Sequence, residues 1–361
     1  MQKIEYFCIE TIQIPPPMKI YKAIMMGLAA AMIAAQPVSA ETYRVEMTVP
    51  AEADAEGAMA VLKDYDSGAK LDSALVTEGK VLFSGDVAGS RVARVAIDDT
   101  PVAQFILEPG DIAVDIATRD VKGGALNATM DKAIAQVSEV MKKFKGASYE
   151  QAAALEREYE ACCDSIVAAN ADNAVGLMFF IELVSDYDVD AMEAALTRYP
   201  QYRESKRVQK MQRALANKAA TQPGSRYVDF EVTYEGVTKR LSDYVGKGEY
   251  VLVDFWASWC GPCIREIAVL KDLYKEYGPQ GLKVLGVAVW DEPANTKKAI
   301  ETHQIPWECI INAQTIPTDL YGISGIPCII LFAPDGTIVS RDKQDDALRA
   351  DVAAAMTAAV K

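Results

Sequence analysis

Two cysteines spaced two residues apart, Cys260-Gly261-Pro262-Cys263, follow the apolar run Val251–Phe255 and precede the periodic stretch Ile264–Tyr277. A C-x-x-C pair at such a strand-to-helix junction has the spacing of a redox dithiol. A thiol in the first turn of a helix faces unpaired N–H donors and the positive end of the helix dipole, and both favour thiolate. Cys260 is therefore the expected attacking sulfur. The intervening Gly261 and Pro262 let Cys263 turn back and resolve a mixed disulfide held on Cys260. Pro262 removes an N–H where none has a helical partner. The competing use of such a pair is half of a zinc site, which needs four ligands. Cys309, Cys328 and the single histidine, His303, are not in ligand-pair spacing, so no metal site is expected. His303 reads as a surface helix residue rather than a catalytic base.

The 361-residue chain sets 37 Lys and Arg against 51 Asp and Glu, a formal net charge of −14. Nucleic-acid binding needs clustered positive charge, so no such partner is expected. With 50% hydrophobic residues the chain can bury an ordinary core. Its length suggests about two domains, at roughly 100–200 residues each. Seven cysteines make thiols its most conspicuous chemical tools. The first, Cys8, falls before a segment that reads as a signal peptide starting at Met18. Lys19 and Lys22 supply the positive region, Ala23–Ala35 the apolar one, and Val38-Ser39-Ala40 the cleavage site. That apolar run is short of the roughly 20 residues needed to span a bilayer. Residues 1–40 are thus expected to be removed after Ala40, delivering the rest to the periplasm or cell envelope, where disulfides form.

Residues 41–128 are β-rich: Tyr43, Val45, Met47 and Val49 alternate with Arg44, Glu46 and Thr48. Short runs at 58–62, 81–83, 92–97, 102–107 and 112–116, separated by glycine turns, suggest a small antiparallel sandwich or barrel. No ligand motif marks this module, and a structural or docking role is the plain reading. Residues 129–222 form a helical module, with Ile134, Val137, Met141 and Phe144 on one face. Further helices are expected over 148–169, 173–184, 188–198 and 201–219. Cys162 and Cys163, adjacent on one of them, point about 100° apart and suit inert thiols better than a mutual disulfide. After the Gln222–Ser225 boundary, 224–361 alternates strands (251–255, 283–289, 328–332, 337–340) with helices (264–277, 294–303, 345–360), an α/β pattern.

The stretch Val251–Cys263 resembles the active-site strand and motif of the thioredoxin superfamily, and Gly325-Ile326-Pro327 is similar to its cis-proline loop. Asp229-Phe230 near the domain start, and Glu266 three residues after Cys263, look like the exported TlpA/ResA-like branch. The two preceding modules resemble those found before such domains in Gram-negative envelope proteins. The resemblance implies a thioredoxin fold of AhpC/TSA-Redoxin type over 224–361 and a thiol:disulfide oxidoreductase, reducing in direction. It implies protein disulfides as substrates and an upstream donor such as a membrane thiol reductase, with no cofactor beyond the Cys260–Cys263 disulfide. It also implies a cis Pro327 that presents the Ile326 backbone to an extended substrate, with Trp259, Gly261 and Pro262 around the reacting sulfurs. Asp254, costly to bury without purpose, matches the residue assigned to proton exchange with the second cysteine. Glu266 is a possible accessory carboxylate, with an exposed helix position as its alternative reading.

Three positions depart from the family pattern. Ala268 stands where a helix-kinking proline is usual, and Cys328 stands directly after Pro327 where threonine is common. Cys328 is expected close to Cys260, either as a third redox thiol or as a small buried strand residue. Cys309 lies in Ile305–Cys309, a loop expected to border the site. Two other functions compete: a thioredoxin-fold peroxidase, and a binding protein with a vestigial redox domain. The peroxidase motif would need proline at position 253 and threonine at position 257, where this chain has Val253 and Ala257. No oligomeric state follows from the sequence.

Overall fold

The computed structural model describes residues 41–359, so the expected signal region and Cys8 lie outside the described residues. These residues divide into two compact units, 41–186 with 195–208 and 187–194 with 209–359. The expected helical module is shared between them.

The first unit opens with eight strands: β1 (Glu41–Thr48), β2 (Met59–Asp64), β3 (Lys70–Leu75), β4 (Lys80–Val87), β5 (Arg91–Ile97), β6 (Thr100–Leu107), β7 (Gly110–Asp115) and β8 (Val121–Lys122). They form two four-stranded sheets, ordered β4-β1-β7-β8 and β3-β2-β5-β6. Val45, Met47 and Phe83 from one sheet share a core with Leu62, Val95 and Phe105 from the other, which makes a sandwich. The pairing is not wholly antiparallel, because β1 and β7 run parallel. Their separation by five intervening strands supplies the long connection that a parallel pair requires. Helices α1 (Ala125–Phe144), α2 (Tyr149–Ala169) and α3 (Ala174–Leu183) follow. A capping box starts α2: Ser148 Oγ accepts from the Gln151 N–H at 3.3 Å, and the Gln151 side chain accepts from the Ser148 N–H at 2.8 Å. Cys163 is buried and Cys162 half-buried, and both are free thiols. Then come α4 (Val189–Arg198) and α5 (Lys206–Ala220), each divided between the units.

The second unit has a hairpin, β9 (Glu231–Tyr234) and β10 (Val237–Arg240), and then alternating elements. These are β11 (Tyr250–Trp256), α6 (Gly261–Tyr277), β12 (Leu282–Ala288), α7 (Pro293–Thr302), β13 (Glu308–Ile310), α8 (Ile316–Tyr321), β14 (Cys328–Phe332), β15 (Ile338–Arg341) and α9 (Asp345–Ala359). The sheet order is β13-β12-β11-β14-β15. Strands β11, β12 and β13 are parallel, while β14 and β15 complete the sheet antiparallel. This is a thioredoxin fold. Central β11 is buried on both faces, which explains its continuous apolar run. On one face Leu252, Trp256, Ile329 and Leu331 meet Leu270 of α6 and Val352 of α9. On the other, Val253, Phe255, Ile330 and Phe332 meet Tyr321 of α8. Helix α6 runs unbroken through Ala268. No described helix is long and apolar enough to cross a membrane.

Candidate active site

Strand β11 delivers the chain to a tight turn at Ala257–Trp259, and Cys260 then caps α6 in extended backbone geometry. Its Sγ accepts from the Cys263 N–H at 3.1 Å, as a side-chain acceptor at an N-cap should. Cys260 and Cys263 are joined as a disulfide with their Cα atoms 5.2 Å apart. Cys263 is fully buried and Cys260 nearly so. The Ile326–Pro327 peptide bond is cis, and the Ile326 carbonyl oxygen lies 3.7 Å from Cys260 Sγ. The cis-proline loop therefore flanks the outer sulfur. Trp256 packs beneath the motif at 1% exposure, whereas Trp259 is 60% exposed. The Trp259 indole N–H donates to the Trp290 carbonyl at 2.9 Å, which fixes the ring on the neighbouring loop.

Asp254 lies on β11 on the disulfide's side of the sheet, 2% exposed, and its Oδ1 has no hydrogen-bond partner. Burial, and then the nearby Glu266 carboxylate, push its pKa up to about 8. Glu266 is buried rather than at an exposed helix position. Its Oε1 accepts from the Asp345 N–H at 3.0 Å, and burial raises its pKa. The alternative surface reading of Glu266 fails because α9 starts directly over this part of α6.

Two further cysteines have different fates. Cys328 joins the core on the sheet face opposite the disulfide, since alternate β14 residues point to alternate faces. Its thiol donates to Asp342 Oδ1 at 3.1 Å. Burial and that carboxylate push its pKa up, holding it as an unreactive thiol. Cys309 lies on the edge strand β13 rather than in a loop, and packs on the disulfide's face. Asp254, Gly286 and Cys309 share one register row across three strands. Cys309 Sγ lies only 2.6 Å from where a side-chain carbon on Gly286 would stand. Burial, with the Asp254 carboxylate second, pushes its pKa up to about 12.

Sequence reasoning missed Asp291, which is buried and organises the turn before Cys260. It accepts from the Ser258 N–H and Ser258 Oγ–H at 2.8 Å each, and from the Thr296 Oγ–H at 2.7 Å. Its one local signal is a position just ahead of Pro293, the first residue of α7. His303 ends α7 and donates its backbone N–H to Ala299. Among the described residues no cluster of three or more His, Cys, Asp and Glu could hold a metal ion.

Residues 223–341 match the AhpC/TSA family, and residues 43–132 match a domain of unknown function, DUF4369. The thiol-disulfide oxidoreductase ResA of Geobacillus thermodenitrificans is 34% identical over 122 residues, spanning 34% of this chain and 69% of that protein. ResA of Bacillus subtilis is 28% identical over 99 residues, 27% of this chain and 54% of the relative. Among solved structures, the thioredoxin domain of a thiol-disulfide oxidoreductase from Bacteroides vulgatus is 31% identical. It covers 37% of this chain and 96% of its own, at a TM-score of 0.33. A thiol:disulfide interchange protein from a Bacteroides species is 30% identical over 38% of this chain and 92% of its own, at a TM-score of 0.34. Through its second unit the chain belongs to the ResA-like thiol-disulfide oxidoreductases of the AhpC/TSA family.

Proposed function

We propose that this oxidoreductase uses Cys260 and Cys263 as a dithiol that reduces protein disulfides in the cell envelope. The observation that carries this reading is the unequal setting of the two sulfurs. Cys260 stands at a helix N-cap beside the cis-proline loop, while Cys263 is fully buried on the sheet face that carries Asp254, a buried carboxyl whose Oδ1 has no hydrogen-bond partner. In the reduced state the Cys263 N–H and the α6 dipole stabilise the Cys260 thiolate. That thiolate attacks one substrate sulfur and forms a mixed disulfide, and the other substrate sulfur leaves and takes a proton. Cys263 gives its proton to ionised Asp254 and attacks Cys260 Sγ, which closes the enzyme disulfide and frees the second substrate thiol. Ile326 and Pro327 present backbone to the extended substrate, and Trp259, Gly261 and Pro262 form the rim. Glu266, close to Asp254, helps keep that carboxyl proton-accepting near neutral pH.

Two electrons from an upstream membrane thiol reductase then restore the dithiol, and the reaction calls for no further cofactor. Export rests on the signal-like residues 18–40. The peroxidase alternative is weaker, because Val253 and Ala257 occupy the positions its motif requires. Reduction of insulin disulfides by the thiol-regenerated full chain is the test. Wild type should reduce insulin and Cys260→Ser should not, and Cys263→Ala should accumulate mixed disulfides on Cys260 that mass spectrometry identifies. Equal failure of wild type and Cys260→Ser, or peroxide consumption that does not need Cys263, would overturn the reading.

A further inference from the structure

Beside the cis-proline lies a cavity of about 270 Å³, walled by Gly322, Gly325, Pro327, Arg341, Asp342 and, from α5, Lys218. Small-molecule sites run about 300–1,000 Å³, so this one suits a single side chain better than a cofactor. Its α5 wall is held firmly. Gly322 adopts φ +59°, and a side-chain carbon there would stand 2.1 Å from the Ala214 carbonyl oxygen and 2.6 Å from the Lys218 nitrogen. The Asn217 side-chain N–H donates to the Asp319 carbonyl at 2.8 Å. The Arg341 guanidinium donates to the Thr221 hydroxyl at 2.5 Å and to the Tyr321 carbonyl at 2.9 Å. Residues of α5 precede the stretch matched by the AhpC/TSA family, which begins at 223. The chain therefore brings an element from outside that stretch to a cavity that the cis-proline also lines.

The charges in the cavity do not cancel. Arg341 is spent on Thr221, Tyr321 and Asp342, whose Oδ2 accepts from Nε at 3.1 Å. The other oxygen of Asp342 takes the Cys328 thiol proton. Lys218 is exposed and has no ion-pair partner among the described residues. Lys218 thus leaves a positive charge without an ion-pair partner in the wall of a cavity that Pro327 also lines, in a chain whose formal net charge is −14.

We infer that this cavity is a specificity subsite, in which Lys218 receives an acidic side chain of the substrate two residues from the cysteine under attack. In an extended segment, residues two apart project to the same face at about 6.6–6.8 Å. A substrate cysteine bonded to Cys260 therefore directs its second neighbour toward the same side of the enzyme, and the cis-proline loop that flanks Cys260 Sγ through the Ile326 carbonyl lines the cavity through Pro327. This rests on the dithiol reading above. The exchange itself is unchanged: Cys260 thiolate bonds to the substrate sulfur, its former partner sulfur leaves as thiolate, and Cys263 later displaces the substrate thiol.

The test uses the reduced full chain and synthetic peptides carrying one cysteine as a mixed disulfide with glutathione. Glu, Gln or Lys is placed two residues before or after that cysteine. Stopped-flow thiol release gives the second-order rate constants. Wild type should favour the Glu peptide over the Gln peptide by about tenfold at low ionic strength, an advantage that added salt screens. The advantage should vanish in Lys218→Gln and invert toward the Lys peptide in Lys218→Glu. Lys210→Gln, which changes charge on the same helix, should keep the preference. A Glu-to-Gln ratio that is the same in wild type and in both Lys218 variants overturns the subsite and leaves the dithiol reading standing. Failure to reduce any peptide, together with failure on insulin, overturns both.

Discussion

Asp254 is the residue on which the proposed chemistry presses hardest. A carboxyl raised from its ordinary 3.8 to about 8 stays protonated in the folded protein over a range where the unfolded chain has released that proton. Stability contributed by this proton is complete below pH 4 and is lost as pH rises toward 8. The greatest slope for one such group is about 1.4 kcal/mol per pH unit. Urea unfolding of the oxidised protein should therefore show Asp254→Asn gaining on wild type with every unit from pH 4 to 8. A stability difference that does not change with pH would remove Asp254 as a buried acid. The same substitution should slow resolution of the mixed disulfide by about 10²-fold, the scale of general acid–base catalysis. Cys309 and Cys328 make the opposite case among the thiols. Burial pushes both pKa values up, and Cys328 also faces the Asp342 carboxylate. Iodoacetamide at pH 8 should label Cys260 of the reduced, folded protein and spare these two. Rapid labelling of Cys328, read by peptide mass spectrometry, would restore it as a candidate redox thiol.

At the scale of elements, the row Asp254–Gly286–Cys309 shows how neighbouring strands share one small space beneath the disulfide. Gly286→Ala should cost about 1–3 kcal/mol, the usual penalty of overpacking, because its new carbon would meet Cys309 Sγ at 2.6 Å and Trp256 Nε1 at 3.1 Å. Adding Cys309→Ala removes the nearer obstacle. The double variant should therefore recover part of the loss, with a coupling of about 0.5–3 kcal/mol. Strict additivity in urea unfolding would mean that the two residues do not compete for this space. No reading of the sequence alone finds such a row, because its members come together only after two crossovers. Asp254, Cys260 and Cys263 were legible because one strand, one turn and one helix start place them within ten residues. The burial of Glu266 depends on α9, and the role of Asp291 on a turn 33 residues away in sequence. Among the elements, alternation marked β1 and the apolar run marked β11. By contrast, β3 reads Lys-Leu-Asp-Ser-Ala-Leu and carries no periodic signal at the edge of its sheet. The three-residue β13 and the proline-containing α8 were too short to show a period.

The whole molecule holds two compact units with separate cores, and its chromophores are unevenly divided between them. All four tryptophans, Trp256, Trp259, Trp290 and Trp307, lie in the unit that carries the disulfide. Tryptophan fluorescence therefore follows that unit alone, while far-UV circular dichroism follows both. Separate cores favour separate cooperative transitions, so one unfolding free energy would not describe the chain. Phe83 is fully buried in the sandwich and Phe255 in the thioredoxin fold. Truncating either to alanine should cost about 3–5 kcal/mol. With a urea slope of about 1–3 kcal/mol/M, that loss moves a midpoint by 1 M or more. Phe83→Ala should shift the dichroism curve and leave the fluorescence midpoint in place, and Phe255→Ala should shift the fluorescence. If Phe83→Ala moves both probes together, the two units unfold as one, and substitutions in the sandwich would then bear directly on the stability of the redox site.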